Sequence, residues 1–164
     1  MTDLFHTEHH VACTQTLVAW HAALQHQGRD RAALRRAHEG ETAYYVGASW
    51  DLVRKLEGVA EIPGYARHHL PAAAALLARF HTHTEARSMG VHLAPVSDLR
   101  FRRLIKCRDR EELYTALVRM TPLLKGQVDF YRLVRDYCCW NARVRKDWAE
   151  HYYTTNSEMP RSHS

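Results

Sequence analysis

Residues Ser97–Arg110 read SDLRFRRLIKCRDR. On an ideal helix, at about 100° per residue, Phe101, Leu104 and Ile105 share one arc. Arg102, Arg103 and Lys106 share the opposite one. The stretch therefore predicts an amphipathic helix, capped by Ser97 or Asp98 and laid on a core. Six of the fourteen residues are basic (Arg100, Arg102, Arg103, Lys106, Arg108 and Arg110), and only Asp98 and Asp109 oppose them. Two readings of so much like charge stand side by side: a solvated helix face, or a track for a polyanion.

The same periodicity extends outward in both directions. Leu113, Leu117, Met120 and Leu124 follow at spacings of four, three and four, the stripe of a further helix. A long last helix is predicted over roughly 129–153, with Phe130, Leu133, Tyr137, Val144 and Trp148 on its apolar side. Toward the N-terminus, Cys13, Leu17, Trp20 and Leu24 make the stripe of a first helix over about 8–26, ended by Gly28. Asp30 is placed to cap a short helix, RAALRRAH, closed by Gly40. A third helix is expected over Thr42–Leu56, with Tyr45, Trp50 and Val53 as core candidates. A fourth is expected over about 65–81, where Pro71 either delays the start or kinks it. Residues 82–95, THTEARSMGVHLAP, read as an irregular connection. No strand-like alternation of any length and no internal repeat is evident. The fold class expected is all-α, a helical bundle in two small lobes, with an N-terminal lobe over about 8–83 and a C-terminal basic lobe over about 97–153.

The chain has 164 residues, 46% of them apolar, enough for one domain with a real core. No apolar run is long enough to span a membrane, and the first residues, MTDLFHTEHH, do not have the pattern of a secretory signal. Cys13, Cys107, Cys138 and Cys139 form no C-x-x-C pair, so free thiols in a reducing cytoplasm are expected. The net charge of +5 is unevenly spread. Residues 1–61 hold six basic and eight acidic residues, whereas residues 97–146 hold thirteen basic and six acidic. That asymmetry points to an anionic partner for the second half: nucleic acid first, an acidic protein or lipid surface second.

If the last helix is continuous, Arg132, Arg135, Arg143 and Lys146 fall on one stripe, with Arg145 off it and Asp136 as the main acid on that polar side. An ordinary solvated helix mixes signs, because acid–base pairs spaced by four stabilise it, while like charges repel. A stripe of arginine and lysine without Asn, Gln or Ser among them suits phosphate contact, which carries no sequence information directly. No zinc finger, RNP-type strand or basic leucine zipper is present, although an all-helical chain admits a helix-turn-helix.

Other chemistries have weaker signals. The thirteen histidines, among them His9–His10, His68–His69, and His81 with His83, sit in no metal-binding framework, so no metal is expected. There is no G-x-S-x-G, no Walker loop and no convergence of carboxylates, so neither catalytic residues nor a cofactor are expected. Trp20 and Trp148 lie on apolar stripes. Trp140 is free of them and could stack on a base.

Three blocks carry a family resemblance: GRDRAALRRA, RFRRLIKCRDREELYTALVRM and VDFYRLVRDYCCWNARVRKDWAEHYYTT. In order and spacing they resemble CasB, the small subunit of the type I-E CRISPR surveillance complex Cascade, over nearly the whole chain. The resemblance implies an all-helical fold of two small lobes without enzymatic activity. It implies two copies of the chain stacked head to tail, contacting other Cascade subunits and the guide RNA. It further implies that basic surfaces stabilise the target and displaced DNA strands of the opened R-loop, while guide pairing selects sequence. Carried over by position, the implied nucleic-acid contacts are Arg35 and Arg36 in the first block; Arg102, Arg103, Lys106 and Arg119 in the second; and Arg135, Arg143, Arg145 and Lys146 in the third. Arg132 joins them from the helical wheel alone. Arg67 matches only through a gap, and Cys139–Trp140 replaces the family's aromatic pair. The expected function is a non-catalytic, sequence-independent nucleic-acid-binding subunit. A helical DNA-binding regulator and a helical protein-interaction adaptor with a basic face are the alternatives.

Overall fold

The computed structural model describes residues 2–158. It is all-α: helical residues make up 68% of it, in eleven α-helices and two short 3-10 turns, with two strands of two residues each. In order, the helices are α1 (His10–Leu24), α2 (Gly28–Arg35), α3 (Gly40–Ala43), α4 (Gly47–Glu57), α5 (Gly64–Arg67), α6 (Leu70–Leu77), α7 (Met89–His92), α8 (Asp98–Ile105), α9 (Arg110–Met120), α10 (Phe130–Cys138) and α11 (Ala142–Glu158). The strands β1 (Thr82–His83) and β2 (Gln127–Val128) pair in parallel between α6 and α10.

The bundle is built around α6. Its sequence, LPAAAALL, is apolar all round, and such a helix belongs in an interior. Every one of its residues is buried, and α2, α3, α4, α9 and α10 all touch it. Alanine suits this position twice over. It is the best helix former, and its small side chain lets neighbouring backbones approach. The approach of α3 is close enough that a Cβ added at Gly40 would stand 3.2 Å from that of Ala72. Pro71 sits in the first turn of α6, where its missing N–H costs nothing, so it delays the helix and does not kink it.

Buried residues of both halves of the chain join in one hydrophobic cluster that includes Cys13, Leu17, Trp20 and Leu24 as well as Leu113, Leu117, Met120 and Leu124. The segment 82–95 is more ordered than its composition suggests. β1 pairs with β2, and α7 packs across α11. A Cβ on Gly90 would lie 2.3 Å from the Trp148 carbonyl oxygen and 2.7 Å from the Tyr152 nitrogen, so this crossing requires glycine.

Five expectations about helix boundaries are corrected. Gly28 opens α2, with Asp30 in its first turn and not at its cap, and Gly40 opens α3 where it was expected to close a helix. The single third helix is broken at Tyr44–Val46, where side chains of the following turn take backbone carbonyls at the break. The Ser49 hydroxyl is 2.8 Å from both the Ala43 and Val46 carbonyls, and the Trp50 indole N–H donates to the Tyr44 carbonyl at 2.7 Å. Tyr45, expected in the core, is 77% exposed as a result. The last helix is two helices. Arg110 donates to the Tyr137 and Cys138 carbonyls, each at 2.8 Å, closing α10, and the Asn141 side chain accepts the Val144 N–H at 3.0 Å to open α11.

Candidate nucleic-acid interface

The Ser97 hydroxyl caps α8 by accepting the Arg100 N–H, and Asp109 caps α9 by accepting the Glu112 N–H. Both helices bury one apolar side, Phe101 and Leu104 on α8 and Leu113, Tyr114, Leu117 and Met120 on α9. Their opposite sides flank an open groove of about 1100 Å³. Arg100, Arg103, Lys106 and Arg119 line it, over a floor that includes Leu104, Cys107 and Met120. All four cations are exposed, and none makes an ion pair or a side-chain hydrogen bond among the described residues. Glu39, Glu41, Glu111 and Glu112 also line the groove. Two of these acids are engaged: Glu111 accepts the N–H groups of Gly40 and Glu41, and Glu112 accepts that of Arg108.

The other sequence-derived candidates divide by what they touch. Arg36, Arg143 and Lys146 are exposed without a side-chain partner among the described residues. Arg102 is exposed too, but pairs with Asp98 one turn earlier at 3.0 Å, and Asp98 also accepts the Tyr153 hydroxyl. Arg35 is half-buried, and its Nε donates to the Ala78 carbonyl at 2.8 Å. Burial, and then the charges of Arg31 and Arg79, pull its guanidinium below the ordinary value. Arg132 is half-buried against the Ala86 carbonyl and Asp129. Arg135 pairs with Asp136 at 2.9 Å and lies over the Tyr131 ring at 5.6 Å. Arg145 lies over the Trp140 ring at 5.9 Å.

The break at 139–141 resets the helical phase, so Arg132 and Arg135 do not continue into the stripe of Arg143 and Lys146. Asp136, expected on the polar side, is 1% exposed. It accepts the Trp148 indole N–H at 2.7 Å beside Arg135, and burial nonetheless pushes its carboxyl up against the pull of both. Trp140 is buried edge-on to Trp148 and donates to the Cys107 carbonyl, so its ring is not offered to a base. Sequence reasoning did not single out Arg100 as a groove residue. Its i, i+3 spacing to Arg103 was the available signal.

All four cysteines are free thiols. Among the described residues, no group of three or more His, Cys, Asp or Glu is placed to hold a metal ion, and no helix is long and apolar enough to cross a membrane.

A family model described as CRISPR-associated protein Cse2 matches residues 30–153. No curated protein gives a significant match. Among solved structures, CasB from Thermus thermophilus is 24% identical, with a TM-score of 0.66 over 86% of this chain and 97% of that one. A chain in E. coli Cascade bound to a PAM-containing double-stranded DNA target is 21% identical, with a TM-score of 0.69 over 88% of this chain and 96% of that one. A further structure of a Cse2-family protein from Thermus thermophilus is 22% identical, with a TM-score of 0.64 over 86% and 97%. The likeness to these structures is one of fold.

Proposed function

The chain belongs to the Cse2 family of CRISPR-associated proteins, and from that premise we propose that it is the non-catalytic small subunit of a type I-E CRISPR interference complex. In this role it holds opened target DNA through phosphate contacts without reading sequence. The observation that carries the reading is the groove where Arg100, Arg103, Lys106 and Arg119 converge unpaired. None of the four is engaged in an ion pair among the described residues, so each is free to meet a phosphate. Arginine and lysine suit a phosphate backbone, and the groove lining holds no Asn, Gln or Ser to read a base edge beside them. Sequence choice then belongs to pairing with the guide RNA. A chain of like fold stands in E. coli Cascade bound to double-stranded DNA, which supports placement of this one among other Cascade subunits. The exposed Arg36, Arg143 and Lys146 offer further phosphate contacts, and a second copy of the chain extends the basic surface along the complex.

The test is binding of the purified chain to random-sequence single- and double-stranded DNA across a salt series. Beside it stands a variant with Arg103, Lys106 and Arg119 changed to Glu. Each phosphate contact contributes about −0.7 to the slope of log affinity against log salt on single strands and about −0.9 on duplex. Sequence-blind binding that weakens steeply with salt and collapses in the variant is expected. A preferred duplex sequence would favour a regulator instead, and no DNA binding at low salt would favour a protein adaptor.

A further inference from the structure

The groove between α8 and α9 is not uniformly basic, because its carboxylates gather at one end. Glu111 and Glu112 stand on the first turn of α9, whereas Arg119 stands on its last turn, about 10 Å further along the axis. Glu111 accepts the N–H groups of Gly40 and Glu41 at 3.2 and 3.1 Å. Those bonds hold the start of α3 against α9 and bring Glu39 and Glu41 to the same end. The Glu39 and Glu41 side chains are exposed and make no ion pair or hydrogen bond among the described residues. The acidic character continues outward from there. Glu41 and Glu111 also line a neighbouring cleft of about 650 Å³, together with Asp109. Arg110 lines that cleft too, but it is half-buried and bonded to the Tyr137 and Cys138 carbonyls, and Arg108 lines neither cavity.

Exposed carboxylates repel phosphates only across short distances, about 8 Å at physiological salt. A single strand has one line of phosphates. It can lay that line on the cations and turn its uncharged bases toward Glu39 and Glu41. A duplex has no such freedom. Its second backbone lies across grooves about 6 and 12 Å wide, the same scale as the distance along α9 from Arg119 to the acids. A duplex seated on the cations therefore brings its second line of phosphates to the carboxylates. We propose that Glu39 and Glu41 are specificity-determining residues, which make the groove accept a single nucleic-acid strand and reject a duplex. This inference rests on the reading of the groove as a phosphate site. A repulsive element of this kind discriminates between ligands by penalising the wrong one. It lets the groove hold a separated strand without competing for closed DNA.

The experiment measures the affinity of the full chain for a random-sequence single strand and for the corresponding duplex across a salt series. Wild type is compared with the double variant Glu39→Gln, Glu41→Gln and with Glu39→Gln alone. Glu111 is left intact because it holds α3. Both changed side chains are exposed and unpartnered, so melting temperatures are expected to be unchanged. Wild type should favour the single strand. The double variant should gain at least about fivefold in duplex affinity while its single-strand affinity changes by less than about twofold. Glu39→Gln, which lies outside α3, should show the same shift in smaller measure, and the shift should fade as salt rises. Equal gains for both DNAs, or no gain, overturn the proposal while leaving the phosphate site intact. A wild-type preference for duplex also overturns it. A wild-type chain that binds neither DNA at low salt overturns the phosphate reading, and the proposal with it.

Discussion

Arg35 and Arg79 each cap the helix that carries or precedes the other. The Arg35 Nε donates to the Ala78 carbonyl at the end of α6. Arg79 donates to the carbonyls of Leu34 at 3.3 Å, Arg35 at 2.9 Å and Ala37 at 2.7 Å, at the end of α2. A helix C-terminus leaves carbonyls without partners and carries partial negative charge, and a guanidinium answers both. Tyr114 closes the arrangement, donating to Ala37 and accepting from Arg79.

Arg79→Met is therefore expected to cost about 2–3 kcal/mol of stability, because several carbonyls lose a charged donor together. Arg35→Met should cost less, about 1 kcal/mol, having one such bond to lose. Denaturant unfolding of the two variants checks the order. An Arg35 variant that keeps full stability while losing DNA affinity would reverse the assignment of this side chain to the fold.

Asp136 serves two donors at once, the Arg135 guanidinium and the Trp148 indole, and so ties α10 to α11 across their break. Asp136→Ala should destabilise the chain by about 3 kcal/mol by leaving the guanidinium and the indole N–H unpaired. Trp148→Phe removes one bond and should cost less. Urea titrations of both variants test this, and equal losses would contradict it.

Gly90→Ala should destabilise by about 2–3 kcal/mol, because the added methyl meets backbone of α11 and no flexible side chain that could yield. The loss should appear as a lower midpoint in thermal melts. Gly28→Ala, where a Cβ meets nothing within 4 Å, serves as the control and should be neutral or slightly stabilising.

Burial pushes the imidazoles of His21, His69 and His92 below their ordinary value. The His92 Nε2 lies 3.1 Å from both the Asp129 nitrogen and the Thr84 carbonyl, and burial, outweighing the Thr84 carbonyl and Asp129, favours the neutral ring. Below about pH 6.5 the unfolded chain takes up protons at these positions before the folded one does. Stability is therefore complete above that pH and declines as pH falls toward the depressed folded values. Melting midpoints measured from about pH 8 down to about pH 5 should fall on the acid side, and His92→Gln, which keeps an acceptor without titrating, should flatten the decline.

The helices that a single-sequence reading recovers best are those whose apolar spacing and cap lie within one turn of each other, as with Ser97 and Phe101, or Asp109 and Leu113. At the end of α10 the deciding partner is elsewhere in the chain. Nothing local to Cys138 announces that Arg110, 28 residues away, will take its carbonyl and end the helix. The Asn141 cap was the one local sign of that break. The site behaves in the same way. Charge density marked the α8 region correctly as basic, but whether an arginine is free to meet a phosphate depends on distant carbonyls. Arg35 is held by a residue 43 positions away and Arg132 by one 46 positions away. Arg103 and Lys106 have no such partner, and helical periodicity alone could not separate them from Arg132.

The alanine run of α6 has a consequence for how the sequence can drift. In a list of letters, AAAA looks like filler that any small or aliphatic residue could replace. Ala73, Ala74 and Ala75 are each 0% exposed, and helices crowd onto the run from several directions. A larger side chain there has no outward route, and glycine would weaken the helix from within. The plainest segment of the chain is thus expected to accept the fewest substitutions, while the arginine-rich surfaces around it can trade positions so long as the charge remains. Homologues should accordingly vary more in where their cations sit than in the bulk of this central helix.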